Sequence, residues 1–211
     1  MSYKVVLFDL DGTLVDSVPL VKKAYQNVFA EMEIPWSDSD ISKLATLPIK
    51  ESAKIYAERR ENEFLTCFFN HYLREHNNMM KIFPGTTEML QLIKNRGCRI
   101  GIVTSKSRLG TDTCLNFLGI TSYVDVIITA DDAVHHKPHP EPLNRALEML
   151  SSSSTDALYI GDSHLDIIAA KSAGIKAAYV TWGAGNNNKI QQYEPDYIIE
   201  NWDQLLDEII K

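Results

Sequence analysis

Short apolar runs alternate with longer amphipathic segments along most of this chain of 211 residues. The apolar runs are rich in β-branched and aromatic residues and rarely alternate with polar ones, which is typical of strands covered on both faces. They predict strands at Lys4–Asp9, Arg99–Thr104, Val124–Thr129, Ala157–Gly161, Ala177–Thr181 and Tyr197–Ile199. The segments between them predict helices at Thr86–Asn95, Leu109–Leu118, Pro140–Leu150, Leu165–Ala173 and Asp203–Ile210. Strands that alternate with helices indicate a parallel sheet with right-handed crossovers.

One long segment interrupts this alternation, because residues 18–82 contain no convincing strand. Apolar and aromatic residues recur there at helical spacing, at Val21, Ala24, Tyr25, Val28, Phe29 and Met32 and again at Phe64, Phe68, His71 and Tyr72. A crossover between neighbouring parallel strands normally takes far fewer residues. We therefore expect an α/β fold: a Rossmann-like parallel sheet core, residues 1–17 and 83–211, with an inserted helical cap domain, residues 18–82.

Charge and cysteine content narrow the class of protein. Acidic residues number 28 and basic ones 21, so the formal net charge is −7. This balance argues against a protein that coats nucleic acid, but not against a small anionic substrate, since a pocket can be locally positive. Cys67, Cys98 and Cys114 lack the paired spacing of a disulfide framework or zinc knuckle, so buried, reduced thiols are predicted.

No targeting or membrane signal is evident in the sequence. No apolar run approaches the ~20 residues that span a bilayer. The first apolar run is too short for a signal peptide and ends in acids rather than a cleavage site. We expect a cytoplasmic protein without a membrane partner.

The first predicted strand ends in two acids, Asp9 and Asp11, followed by Gly12 and Thr13. In an open parallel sheet, ligands bind at the carboxyl ends of the strands. Two carboxylates at that position are costly unless a cation or a substrate compensates their charge. A strand that simply ends in a polar turn is the alternative.

The second and third predicted strands are also followed by polar groups. Thr104 and Ser105 end the second, where hydroxyls can donate to an anion, although Ser105 or Ser107 capping a helix explains them as well. After the third, Lys137 lies in a proline-rich loop, where a rigidly held cation could balance carboxylates and phosphate oxygens.

The same loop contains three histidines, His135, His136 and His139, which raises the possibility of a metal site. The loop gives them no shared helical face, and we expect no adjacent acidic ligand. A solvated loop is therefore the preferred interpretation for His135 and His139.

The fourth predicted strand is followed by Asp162 and Asp166, which are four residues apart and so share a helix face. An N-cap and a first-turn acid explain each of them singly. However, acids, a hydroxyl, a lysine and further acids follow four successive strands and would converge on one cleft. Carboxylates around a hard cation suit Mg²⁺, and together with a lysine they suit phosphoryl transfer.

These four clusters resemble the four motifs of haloacid dehalogenase-like hydrolases. The matching segments are Asp9-x-Asp11-Gly12-Thr13, Thr104, Lys137-Pro138 and Gly161-Asp162-Ser163-x-x-Asp166, and they occur in order along essentially the whole chain. The helical insertion and Phe83-Pro84-Gly85 at its return resemble the phosphoglycolate phosphatase and pyrophosphatase branch. One departure is His136, since relatives often have glycine before the lysine.

The resemblance implies a role for each motif residue. Asp9 attacks phosphorus and forms an aspartyl phosphate, and Asp11 protonates the leaving group and then activates water. Thr104 and Lys137 hold the transferring phosphoryl group. The implied Mg²⁺ ligands are Asp9, the backbone carbonyl of Asp11, and Asp162, with Asp166 supporting them.

Three further residues are implied to bind substrate: Thr13, Ser105 and Lys50. In the cap, Thr46 to Glu51 resemble the substrate-specificity loop of the family, in which Lys50 matches a basic position that can reach the distal part of the substrate. A solvated lysine in a first helical turn is the equally weighted alternative. We expect the cap side of the pocket to be polar.

The resulting prediction is a magnesium-dependent phosphatase acting on a small phosphorylated metabolite, phosphoglycolate-like or pyrophosphate. A β-phosphoglucomutase-like isomerase is the alternative; the mutases resemble one another in having an apolar β-branched residue where Thr13 stands, which favours hydrolysis. A receiver-like signalling domain combines similar residues, but it is about half this length and takes phosphate at its third strand. The substrate and the oligomeric state stay open.

Overall fold

The computed structural model describes residues 3–37, 44, 47–185 and 187–209. Six parallel strands form one sheet in the order β5-β4-β1-β6-β7-β8. They are β1 (Val5–Phe8), β4 (Arg99–Val103), β5 (Val126–Ile128), β6 (Ala157–Gly161), β7 (Lys176–Val180) and β8 (Tyr197–Ile199). The chain winds outward from β1 to one edge and then to the other, which is the doubly wound, Rossmann-like arrangement. This confirms the predicted parallel sheet, and each strand lies within two residues of its predicted bounds.

Helices α4 to α7 lie between strands of the sheet in the sequence and cover both of its faces. They are α4 (Thr86–Asn95), α5 (Arg108–Leu118), α6 (Glu141–Met149) and α7 (His164–Ser172), each within one residue of its prediction. The predicted last helix is only partly regular: an α-helical turn, α8 (Trp202–Gln204), continues as a π-helix, Leu205–Ile209, and residue 210 lies outside the described range. No helix in the described ranges is long and apolar enough to cross a bilayer.

The central strand β1 is buried on both faces, as its unbroken apolar sequence predicts. Val6 and Phe8 belong to the core that α4 covers, whereas Val5 and Leu7 belong to the core under α6 and α7. All four side chains are fully buried. Burying such a side chain stabilises the fold by about 1.5–3 kcal/mol, so the end of β1 is a rigid platform for the residues that follow it.

Residues 18–82, the helical segment, leave the core after β1 and return before α4. Their described helices are α1 (Val18–Glu31), α2 (Ile49–Ala57) and α3 (Glu61–Met79), of which α1 and α3 pack side by side. An aromatic cluster joins them, with ring centroids 4.9 Å apart for Tyr25 and Phe68 and 5.9 Å apart for Phe29 and Phe64. We propose that this segment is a cap domain on a core of residues 1–17 and 83–211.

A short antiparallel ribbon, β2 (Val15–Asp16) with β3 (Lys81–Ile82), lies at the two ends of the helical segment. The expectation of no strand between residues 18 and 82 is therefore wrong at its last two positions. The reason is length, since two residues are too few to show the alternation that predicts a strand. The ribbon pairs Val15 with Ile82 and so holds the entry and exit of the segment side by side.

Candidate active site

Three adjacent strands deliver polar side chains to the same point at the edge of the sheet. Asp9 follows β1, Thr104 follows β4 and Asp162 follows β6, and β1 pairs with β4 on one side and β6 on the other. All three residues are buried, with at most 7% of their surface exposed. The structure thus brings together residues that are more than 90 positions apart in the case of Asp9 and Thr104.

Lys137 ties this cluster together from the loop before α6. Its Nζ donates to Asp9 Oδ1 at 2.9 Å, to Asp166 Oδ1 at 2.6 Å and to the Tyr159 hydroxyl at 3.0 Å. Burial opposes the charge of Lys137, but Asp166 and Asp9 outweigh it, so the pKa of the ammonium lies well above its usual value. Lys137 therefore remains a cation in the interior.

Tyr159 is a site residue that the sequence analysis missed. It lies within β6, and its hydroxyl is 3.0 Å from both Asp166 Oδ1 and the Val103 carbonyl oxygen, to either of which it can donate. In sequence it is one of several apolar-looking residues of a buried strand. The available signal is that a buried tyrosine hydroxyl needs polar partners, and two motif acids directly follow this strand.

Two glycines give the carboxylates the space they occupy. Gly12 has φ +82°, and a Cβ there would lie 2.3 Å from Asp162 Oδ2. A Cβ on Gly161 would lie 2.4 Å from Asp166 Cγ. Any larger residue at either position would displace an acid from the site, so close approach requires both glycines, and the positive φ is a second requirement at Gly12 alone.

Asp166 serves the helix and the site at once. Its Oδ2 accepts from the Ser163 hydroxyl at 2.6 Å and the Ser163 amide at 3.0 Å, and Ser163 caps the amide of Asp166. This is a capping box at the start of α7. Its Oδ1 meets Lys137 and Tyr159, so the capping and functional interpretations apply to different oxygens of one carboxylate.

Asp9, Asp162 and Asp166 form a buried acidic triad, with one oxygen of each within 4.8 Å of the others. Burial, against the opposing charge of Lys137, raises the pKa of Asp9 to about 7, and burial with the charges of Asp9 and Asp166 raises the pKa of Asp162 well above its usual value. Burial also disfavours the ionised form of Asp166, but Lys137 and hydrogen bonds outweigh it and lower its pKa. Negative charge is thus under-compensated here, and an all-oxygen donor set of this kind fits Mg²⁺.

Asp11 lies beside the triad but faces a different cation. Its carboxylate accepts from Lys106 Nζ at 2.8 and 3.0 Å and from the Ser17 hydroxyl. Lys106 is almost fully buried, and its Nζ lies 5.0 Å from the ring centroid of Tyr72 in α3. Burial opposes its charge, but Asp11 outweighs it and raises the pKa of Lys106.

Lys106 is the second site residue missed from the sequence. It follows Thr104 and Ser105 at the carboxyl end of β4, so position alone could have suggested it. Of the two serines with a capping alternative, Ser107 caps α5 by accepting from the Gly110 amide at 3.3 Å. Ser105 lines the cavity with Thr104 and Lys106.

A cavity of about 910 Å³, measured out to its open mouth, lies between the strand ends and the helical segment. Its floor is polar and includes Asp9, Asp11 and Lys137. Its opposite wall is mainly apolar and aromatic, with Val18, Val21, Leu47, Ile49, Phe68 and Phe69. The expected polar cap side is therefore wrong for the described residues. The helical segment needs its aromatic residues for its own core, and several of them also face the cavity.

Two predicted substrate contacts do not line this cavity. Thr13 is fully buried, and its hydroxyl has no hydrogen-bond partner among the described residues. Lys50 is 65% exposed and pairs with Asp131 of the core at 2.6 Å, so it bridges α2 to the loop after β5. Thr46 lies outside the described residues.

The histidine loop is exposed, as predicted, but it does have an acidic neighbour. His135 Nδ1 lies 2.7 Å from Glu141 Oε2, and the amides of Val134 and His135 donate to the same carboxylate. The expectation of no adjacent acid is wrong because α6 begins two residues after His139 and its first residue folds back onto the loop.

The family model of haloacid dehalogenase-like hydrolases matches residues 6–180, which include all four motifs. The chain is a haloacid dehalogenase-like hydrolase. This hydrolase is 35% identical over 201 residues to the pyrophosphatase PpaX of Oceanobacillus iheyensis, covering 95% of this chain and 94% of that one.

Solved structures agree with the family assignment of this hydrolase. It is similar to a haloacid dehalogenase-like hydrolase from Bacteroides fragilis, with a TM-score of 0.87, 31% identity, and coverage of 97% and 100% of the two chains. It also resembles a predicted phosphoglycolate phosphatase from Haemophilus somnus, with a TM-score of 0.84, 26% identity, and coverage of 98% and 97%. The prediction for the cysteines is also confirmed: Cys67, Cys98 and Cys114 are free and buried.

Proposed function

We propose that this chain is a magnesium-dependent phosphatase that hydrolyses a small phosphorylated metabolite, such as phosphoglycolate or pyrophosphate, through an aspartyl-phosphate intermediate. The named relatives support the general class, a phosphatase of this family. The observation that supports the specific mechanism is the position of Asp9, which is buried at the end of β1 on the cavity floor with its carboxylate 2.9 Å from Lys137 Nζ.

Asp9 is the proposed nucleophile. A carboxylate attacks phosphorus only when ionised, and burial alone would keep Asp9 protonated at neutral pH. Lys137 favours the ionised form through its charge and hydrogen bond, and it also offsets the negative charge of an incoming phosphoryl group. Thr104, which lines the cavity at the neighbouring strand end, would donate to the phosphoryl oxygens.

Asp11 is the proposed acid and base. It lines the cavity floor two residues beyond Asp9, and its partner Lys106 contacts Tyr72 of the helical segment, the direction in which we expect the leaving group to lie. Ser17 and Lys106 fix its orientation through hydrogen bonds. Such fixed geometry is what proton transfer to a departing oxygen, and then from an attacking water, requires.

The acidic triad explains the proposed metal requirement. Asp9, Asp162 and the backbone carbonyl of Asp11 would hold Mg²⁺, with Asp166 supporting them. When bound, Mg²⁺ would neutralise the carboxylates and the substrate phosphate, so that both can share the site. Burial first, and then the neighbouring carboxylates, raise the pKa of Asp9 and of Asp162, which supports a need for a compensating cation.

The test measures phosphate release from a panel of phosphorylated metabolites that includes pyrophosphate and phosphoglycolate. We expect release by the wild-type chain with Mg²⁺, none above background with excess chelator, and none from Asp9→Asn. A radiolabelled phosphoenzyme that survives acid and is cleaved by hydroxylamine should form in the wild type only. Undiminished release by Asp9→Asn, or in excess chelator, would contradict the proposal.

A further inference from the structure

A second cluster of metal-binding side chains lies in the helical segment, on helices α1 and α3. Cys67 and His71 are four residues apart on α3 and therefore share one helix face. Glu31 is the last residue of α1, which packs against α3. One potential ligand atom from each of the three residues lies within 4.8 Å of the others, and His71 Nε2 is 2.7 Å from Glu31 Oε2.

The donor atoms of this cluster differ from those of the active site. A thiol sulfur, an imidazole nitrogen and a carboxylate oxygen form a mixed set, whereas the acidic triad supplies oxygen only. Mg²⁺ takes oxygen ligands, and thiolate with imidazole selects borderline ions, of which Zn²⁺ is the typical case. Zn²⁺ also accepts three protein ligands with water in the fourth position.

The surroundings of the cluster favour a cation. Glu31 places a negative charge at the carboxyl end of α1, where the helix dipole opposes it. Cys67 is buried, the His71 side chain is 12% exposed and that of Glu31 is 62% exposed, so the site is protected on one side and open to water on the other.

Asn27 supplies an orienting contact for the histidine. Its side-chain amide lies 3.4 Å from His71 Nδ1, on the ring edge away from Glu31. As placed, the amide nitrogen donates to Nδ1, so the proton of the neutral ring is on Nε2, which donates to Glu31. A ligating histidine instead donates from its second ring nitrogen, so metal binding through Nε2 requires the Asn27 side chain to turn its oxygen toward Nδ1. The hydrogen bond to Glu31 already directs His71 Nε2 into the cluster.

We propose that Glu31, Cys67 and His71 bind one Zn²⁺ ion, which cross-links α1 to α3 in the helical segment. The site is separate from the active-site carboxylates, and its occupancy does not depend on the phosphatase chemistry. Binding releases the thiol proton of Cys67 to solvent, and the ring proton of His71 moves from Nε2 to Nδ1, so that the ligating imidazole is neutral.

The experiment uses Co²⁺ as a spectroscopic substitute for Zn²⁺ in the full-length chain after treatment with a chelator and its removal. We expect thiolate-to-cobalt charge-transfer absorption in the near ultraviolet that saturates at one equivalent and disappears when Zn²⁺ is added. Cobalt bound to the active-site carboxylates gives no such band, because no sulfur lies among them. Absence of the band in the wild-type chain would overturn the proposal.

Variants assign the band to this cluster. Cys67→Ala should abolish it, whereas Cys98→Ala, which removes another buried thiol, should leave it unchanged. Glu31→Gln should weaken cobalt binding by about tenfold or more, since even loss of an outer contact typically costs ~10–100-fold. A band that survives in Cys67→Ala contradicts the site. If Cys67→Ala does not fold, an unchanged titration in the exposed variant Glu31→Gln and in His71→Gln contradicts it equally.

Discussion

Removing one oxygen atom from the core of the site, by Tyr159→Phe, tests whether the contacts of Lys137 hold it in place. The ammonium has three N–H groups and three close acceptors: Asp9 at 2.9 Å, Asp166 at 2.6 Å and the Tyr159 hydroxyl at 3.0 Å. Without the hydroxyl, the third N–H is left with the Val103 carbonyl oxygen, at 3.4 Å. The ring itself remains, so no large cavity forms.

The expected cost follows from that exchange. A hydrogen bond to a charged group is worth about 1.5–3 kcal/mol, and the longer contact to Val103 recovers part of it, so unfolding should become easier by about 2 kcal/mol. For a chain of this size, ~1 kcal/mol corresponds to about 2–4 °C in Tm, so Tm should fall by about 4–8 °C. Because Lys137 is less firmly held, kcat should fall by about tenfold, with KM little changed.

Thermal unfolding and steady-state phosphate release, both with Mg²⁺, measure the two effects. Tyr3→Phe is the matched control: it also removes a tyrosine hydroxyl, one 3.0 Å from the hydroxyl of Tyr197, and should cost about 1 kcal/mol without affecting kcat. A Tyr159→Phe enzyme with wild-type Tm and kcat would refute the idea that this hydroxyl positions Lys137. Equal losses of kcat in the two variants would mean that the loss of either tyrosine hydroxyl lowers kcat, whether or not that hydroxyl contacts Lys137.

Three further predictions concern single charges. Burial raises the pKa of Asp9 from 3.8 to about 7 in the folded chain, so the wild type loses stability relative to Asp9→Asn as pH rises from about 4 to about 7. The Tm values of the two proteins, measured with chelator, should diverge over this range and keep a constant difference above it, and a difference that is constant throughout would contradict the assignment. Lys106→Met should lower kcat by about tenfold or more, because Asp11 then loses the cation that orients it, and a positioned acid and base contributes ~10²–10⁴-fold. An unchanged kcat on an alkyl phosphate would mean that Lys106 does not position Asp11. Lys50→Ala should lower kcat/KM equally for pyrophosphate and para-nitrophenyl phosphate, because Lys50 joins α2 to Asp131 instead of lining the cavity. The control Lys54→Ala, which loses an ion pair within α2, should change neither value. A loss in Lys50→Ala that is confined to pyrophosphate would instead indicate that Lys50 contacts the substrate.

The sheet could be predicted from the sequence because strands covered on both faces are unbroken apolar runs. The motif acids Asp9 and Asp162 could be placed for the same reason, since the ends of such runs are sharp and the ends of parallel strands converge. Tyr159 could not be predicted, because within a buried strand the sequence does not distinguish a tyrosine whose hydroxyl has polar partners from any other large residue. Lys106 and Lys50 show the remaining difficulty: the partner of a long side chain depends on loops and helices that meet only in the folded chain.

The ribbon of β2 and β3 allows the helical segment to change in evolution independently of the sheet. Because Val15 pairs directly with Ile82, the ends of the segment are already joined, and a change in its length adds little to the cost of closing the loop. Helices can be lengthened, replaced or reshaped between these two residues without moving Asp9 or Lys137. Selection can therefore alter what enters the cavity while leaving the chemistry on its floor untouched, so relatives that share the strand-end residues can differ widely in what they accept.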